Sequence, residues 1–161
     1  MNPPFRIGIG FDTHPLVPNR PLILGGVSIP YHMGLLGHSD ADVLTHVMID
    51  AIIGAMNWGS IGLMFPNTDN QWKDSRSVDL LALVIKRLLT TPYRVSNVDA
   101  TIVAQSPKLM PFRNEMGHEL ATILQVNSQL VSIKATTSEG LGPEGRGEGI
   151  SAHAVVLLAH Q

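Results

Sequence analysis

The residues best suited to chemistry fall into four short clusters. The first is Gly8-Ile9-Gly10-Phe11-Asp12-Thr13-His14, where a carboxylate and an imidazole stand two apart beside two residues without side chains. On a strand, alternate residues share a face. Gly8, Gly10, Asp12 and His14 then lie together, with Ile7, Ile9 and Phe11 turned the other way, into the core. A ligand over the glycines would meet two metal-competent groups. The second cluster is His38-Ser39-Asp40-Ala41-Asp42, followed by His46 and Asp50. At helical spacing Asp42, His46 and Asp50 form one polar stripe. His46 can offer a metal one ring nitrogen while a neighbouring carboxylate takes the other N–H. The third runs from Lys134 through Thr136, Thr137, Ser138 and Glu139 to Gly142, then Gly145-Arg146-Gly147-Glu148-Gly149. Small hydroxylic residues and glycines present backbone N–H groups to phosphate oxygens. A lone carboxylate there suits Mg²⁺, which fills its octahedron with phosphates and water. The fourth is Ala104-Gln105-Ser106-Pro107-Lys108-Leu109-Met110-Pro111, a proline-bracketed loop able to frame a flat base. Taken singly, each cluster also fits an ordinary part: bulge glycines, first-turn acids on a helix dipole, a solvated loop, a proline-capped helix start.

Composition narrows the chemistry. The 161 residues contain no cysteine, so any metal must be held by His, Asp or Glu. Eleven Lys and Arg against 13 Asp and Glu leave a net charge of −2, with no basic footprint for nucleic acid or an anionic membrane. Gly8-x-Gly10 lacks the third glycine of a dinucleotide fingerprint, and no phosphate-binding P-loop motif is present. No apolar run reaches transmembrane length, and the start, Met1-Asn2-Pro3-Pro4-Phe5-Arg6, has no secretory h-region. These features predict a cytoplasmic protein, or one of a plastid-type organelle already freed of a transit peptide. An apolar fraction of 44% supports a packed core in one domain over residues 1–161.

The elements that must position the clusters can be read from periodicity. Phe5 to Asp12 predicts a strand, and Leu22–Leu24 and Val27–Ile29 flanking Gly25-Gly26 predict a hairpin. Apolar residues at 43, 44, 47, 48, 51, 52 and 55 predict a helix within 40–56. Residues 59–69 read as a loop. Ser75 to Leu89 reads as a helix capped by Ser75, with Pro92 beyond its end. Val98 to Ala104 predicts a buried strand and Pro107 to Leu124 a helix broken near Pro111. Leu130 to Thr137 and Ile150 to Leu158 complete the strands. Both faces of the last strand are largely apolar, which predicts a buried interface between copies. The fold class is α/β of the α+β type, a mixed sheet covered by helices on one face.

Together these segments resemble the 2-C-methyl-D-erythritol 2,4-cyclodiphosphate synthases over residues 6–158. The matching stretches are G-x-G-x-D-x-H at 8–14, H-S-D-x-D-x-x-x-H at 38–46, F-P-x-T-D at 65–69 and D-S-R at 74–76. A-Q-x-P-K at 104–108 and K-A-T-T-x-E-x-L-G-x-x-G-R-G-E-G-I at 134–150 complete them. The resemblance implies a homotrimer with sites between subunits and a cytidine diphosphate-linked substrate, closed into a cyclic diphosphate with release of CMP. It implies zinc on Asp12, His14 and His46, and Mg²⁺ or Mn²⁺ on Glu139. It places Ala104, Lys108, Leu109 and Met110 around the base and Thr136 and Thr137 on phosphate. His38 and Ser39 fall near the erythritol phosphate, with Gly62 and Asp69 in the binding segments. Arg146 and Glu148 fall at a central channel, where Pro143 replaces the family's phenylalanine. Two further departures are Asn67 and Ser60, which stand where the family carries acids; the one at Ser60 contacts ribose hydroxyls. A zinc-dependent phosphohydrolase and a non-catalytic trimer that binds metal and nucleotide are the alternatives.

Overall fold

The computed structural model describes residues 3–161; Met1 and Asn2, part of the segment read above against a secretory signal, lie outside the described residues. A five-stranded mixed sheet carries the fold, in the order β4-β1-β7-β5-β6. Its strands are β1 (Phe5–Pro18), β4 (Met33–Leu35), β5 (Tyr93–Val103), β6 (Val131–Thr136) and β7 (Gly149–His160). β7 pairs antiparallel with β1 on one side and β5 on the other, β1 pairs antiparallel with β4, and only β5 and β6 run parallel. A separate hairpin, β2 (Leu22–Leu24) and β3 (Val27–Ile29), turns at Gly25 and Gly26, whose φ values of 57° and 75° are those a two-glycine hairpin turn requires.

The helices α1 (Val43–Ala55), α2 (Ile61–Met64), α3 (Ser77–Leu88), α4 (Arg113–Leu124) and α5 (Gly142–Gly145) complete the chain. α1 packs on β1 and β7 and against α3, and apolar side chains around nearly its whole circumference are buried. That explains why its polar stripe is not a solvent face. Asp42 is fully buried as the N-cap. Its carboxylate accepts the N–H groups of Gly25 (2.9 Å) and Gly26 (2.8 Å), and the N–H (3.0 Å) and hydroxyl (2.6 Å) of Thr45. One side chain thus closes the helix and clamps the hairpin to it.

The facing of β1 is the reverse of the expected one. Ile7, Ile9 and Phe11 are exposed at 70%, 69% and 56%, while Gly8 and Gly10 are buried. A Cβ at Gly10 would lie 2.0 Å from the Val47 carbonyl oxygen, and one at Gly8 1.9 Å from that of Ala51. The glycines are therefore what lets α1 lie directly on the strand, and the apolar set covers the open face of the sheet. Other boundaries shift as well. The 59–69 segment contains α2, and the Pro107–Leu124 segment is a short 3-10 turn at Met110–Phe112 leading into α4. The N-cap of α3 is Arg76, not Ser75. Among the described residues no helix is long and apolar enough to cross a membrane.

Candidate active site

β1 delivers Asp12 and His14 from one face of the strand, and α1 delivers His46 one turn in from its N-cap. The Asp12 Oδ2 lies 3.0 Å from His14 Nε2 and 3.0 Å from His46 Nδ1, and the two ring nitrogens are 3.2 Å apart. His14 Nδ1 lies 2.7 Å from the Leu36 carbonyl oxygen, which only accepts, so a neutral ring carries its proton on Nδ1 and turns the Nε2 lone pair to the cluster. A neutral His46 with its proton on Nε2, against Ser77 Oγ at 2.9 Å, likewise turns the Nδ1 lone pair inward. With both rings neutral in these tautomers, three donor atoms converge with no proton between them, a trio that attracts a cation.

Without a metal, a proton on His14 can stand in for that cation. Burial alone would raise the Asp12 carboxyl, but hydrogen bonds and charge from His14 and His46 outweigh it and hold the group well below the usual carboxylate range. Burial also opposes a charged His14, yet the Asp12 carboxylate prevails and moves that imidazole above its ordinary value. Asp12, His14 and His46 together form a group able to hold a metal ion.

These residues open into a cavity of about 260 Å³. His38, Ser39 and Gly62 line it, as expected, and so does Asn67. Its far wall, Ile61, Phe65, Trp72 and Leu80, has no counterpart in the sequence reading beyond the F-P motif. Phe65 and Trp72 meet edge to face at 5.1 Å, and the Asp50 carboxylate accepts the Ile61 N–H at 3.0 Å, anchoring α2 beside the cavity. Ser60 and Asp69 do not line it. Ser60 is exposed at the start of α2 without a side-chain cap bond, and the Asp69 carboxylate accepts the Gln71 N–H at 3.0 Å to cap a short turn.

A second cavity, of about 380 Å³, gathers the other expected set: Ala104, Lys108, Leu109, Met110, Thr136 and Thr137. The parallel pairing of β5 with β6 brings the two loops together, since Val103 is in register with Thr136. Glu139 lies just beyond, exposed in a left-handed turn at φ 55°, its Oε1 3.0 Å from the Thr137 hydroxyl. Arg146 lies in neither cavity and forms a two-pronged pair with Glu148 at 2.7 and 3.1 Å. Apart from Ser60, Asp69, Glu139 and Arg146, the expected site residues are thus grouped in two separate cavities of one chain. Ser77, behind His46, was not singled out in the sequence because nothing local distinguishes it from other helix-start serines.

The family model described as the YgbB family matches residues 5–159. The 2-C-methyl-D-erythritol 2,4-cyclodiphosphate synthase of Geobacillus kaustophilus is 56% identical over 154 residues, 96% of this chain and 98% of that one. That of Moorella thermoacetica is 55% identical over 153 residues, 95% of this chain and 94% of its own. IspF of Plasmodium falciparum, solved as a CDP complex, superposes with a TM-score of 0.88 at 30% identity over 100% of this chain and 99% of that one. The bifunctional IspDF of Campylobacter jejuni matches with a TM-score of 0.93 at 40% identity; 98% of this chain corresponds to 42% of that longer one. Matched by the family model over residues 5–159 and more than half identical to the Geobacillus and Moorella synthases over nearly its whole length, the chain belongs to the YgbB family of 2-C-methyl-D-erythritol 2,4-cyclodiphosphate synthases.

Proposed function

We propose that the protein closes 4-diphosphocytidyl-2-C-methyl-D-erythritol 2-phosphate into 2-C-methyl-D-erythritol 2,4-cyclodiphosphate, releasing CMP, as one domain spanning the chain. The observation that carries this reading is the convergence of three metal-competent donor atoms from Asp12, His14 and His46. A tetrahedral zinc with bonds of about 2.0–2.1 Å needs donor atoms roughly 3.3 Å apart. The separations of 3.0, 3.0 and 3.2 Å fit such an ion, which Asp12, His14 and His46 would hold beside the cavity they line. When bound, zinc at this trio and Mg²⁺ or Mn²⁺ at Glu139 supply Lewis acidity and neutralise phosphate charge.

The remaining work is positioning. The nucleophile, the 2-phosphate oxygen, is already anionic, so no strong base is needed; it attacks the β-phosphorus and the bond to the CMP oxygen breaks. Ala104, Lys108, Leu109 and Met110 frame the cytosine, Thr136 and Thr137 hold phosphate oxygens, and His38 and Ser39 face the erythritol phosphate. Gly62 and Asp69 belong to the segments that border the substrate, and Arg146 to the rim of the central channel. CDP in the structures of relatives fits a cytidine nucleotide as the ligand class.

A homotrimer accounts for the two separate cavities, since the donor trio of one copy would face the nucleotide cavity of the next. The open sheet face supplies surface for such an assembly: Phe5, Ile7, Ile9 and Phe11 of β1 are exposed beside Val155 of β7. An uncovered apolar band of this kind supports an interface between copies. Turnover of the cytidyl substrate with Mg²⁺, followed by phosphorus NMR, tests the reading. CMP with two mutually coupled ring phosphates supports it. A linear product would mean hydrolysis, and no turnover would leave a binding protein.

A further inference from the structure

His46 is held from behind by Ser77, which does not line the cavity, and by Ser39, which does. Its Nε2 lies 2.9 Å from Ser77 Oγ and 3.1 Å from Ser39 Oγ, and all three side chains are buried. Ser77, the first residue of α3, is gripped by Asp40: its N–H donates to Asp40 Oδ2 at 3.1 Å and its hydroxyl donates to Oδ1. Asp40 Oδ1 also accepts the Asp42 N–H at 3.2 Å. Asp40 thus takes three donors on its two carboxylate oxygens.

A serine hydroxyl has one proton. Ser77's is committed to Asp40, so towards His46 its oxygen can only accept. Ser39 Oγ accepts the Ala41 N–H at 3.2 Å, and its own proton can be spent on Ser77 Oγ at 3.3 Å. With Ser39's proton so placed, an imidazole proton on Nε2 finds its acceptor in Ser77 Oγ at 2.9 Å, which leaves the lone pair on Nδ1, the atom facing Asp12 and His14. We propose that Asp40, acting through Ser77, is a positioning residue that sets the tautomer and ring orientation of His46 for metal binding. Backbone geometry serves the same end. Ala41, fully buried, sits in the left-handed region at φ 57°, a conformation that side-chain-bearing residues adopt only under constraint. That turn lets Asp40 reach α3 while Asp42 caps α1.

The inference rests on the metal-site reading above, and its test separates the two. In the metal-free protein labelled with ¹⁵N-histidine, His46 should show a protonated Nε2 and an unprotonated Nδ1, a readout that needs neither zinc nor turnover. A wild-type His46 protonated on Nδ1 overturns the proposal. Ser77→Ala should weaken zinc binding, measured against a competing chelator, by about ten- to a hundredfold and lose the slowly exchanging Nε2–H signal. Ser77→Thr, which restores a hydroxyl, should recover most of both. If Ser77→Ala binds zinc within twofold of wild type and keeps its Nε2–H signal, Asp40 and Ser77 do not position His46, whatever the metal's role.

Discussion

Gly10→Ala puts the coupling between packing and chemistry to the test. The new Cβ would stand 2.0 Å from the Val47 carbonyl oxygen and 2.8 Å from its carbonyl carbon, both backbone atoms that cannot rotate away. Reaching ordinary contact requires β1 and α1 to part by roughly 1.4 Å. Overpacking of this kind costs about 1–3 kcal/mol, which lowers Tm by about 3–10 °C in a chain of this size. The same parting acts on the donor trio, because Asp12 follows two residues after Gly10 and His46 immediately precedes Val47. Their 3.0 Å separation would stretch beyond the span one small ion can bridge, so zinc affinity should fall at least about tenfold, as sites must be held within about 0.5 Å. Gly54→Ala is the control: it lies on the same helix, and its Cβ would meet nothing within 4 Å. It should stabilise by about 0.5–1 kcal/mol and leave zinc unaffected. Thermal unfolding and zinc competition against a chromophoric chelator read both effects. A Gly10→Ala protein with wild-type Tm and zinc affinity would refute the reasoning.

Three further outcomes are expected. Asp42→Asn leaves at least one buried N–H of the hairpin or helix facing an amide, and should destabilise by about 3 kcal/mol in urea unfolding with an unchanged m-value; a loss under about 1 kcal/mol would contradict the clamp. Glu139→Gln should keep zinc but lose most turnover across a Mg²⁺ titration, because an amide oxygen is a poor Mg²⁺ ligand; an unchanged titration curve removes Glu139 from the site. Ser60→Asp restores the family's acid at an exposed position and should tighten CDP binding about ten- to a hundredfold by calorimetry, with kcat little changed; an unmoved CDP affinity means the ribose is already served by another group.

The features that could be read from sequence are those whose physics is local. Gly25-Gly26 between two short apolar runs specifies its own turn, because both residues need positive φ. Asp12 and His14 share a strand face whatever lies against it, and His46 follows from its helical spacing. What could not be read depended on the partner element. Alternation in Phe5–Phe11 establishes two faces but not which one is buried; the missing side chains of Gly8 and Gly10, not the apolar set, mark the face on which α1 lies. Asp42 shares the period of an exposed stripe, yet the folded hairpin brings two backbone N–H groups onto its carboxylate. Ser77 looks like any helix-start serine until Asp40, 37 positions away, claims its proton. The division of the site residues between two cavities is likewise a property of the folded chain alone.

The central claim is that Asp12, His14 and His46 form a single metal centre. Elemental analysis of the purified protein and of His46→Ala, alongside circular dichroism, tests it most directly. The account predicts about one zinc per chain in the wild type and almost none in the variant, with the folded spectrum retained because His46 lies at the edge of the packed core. Full zinc retention in a folded His46→Ala would contradict it.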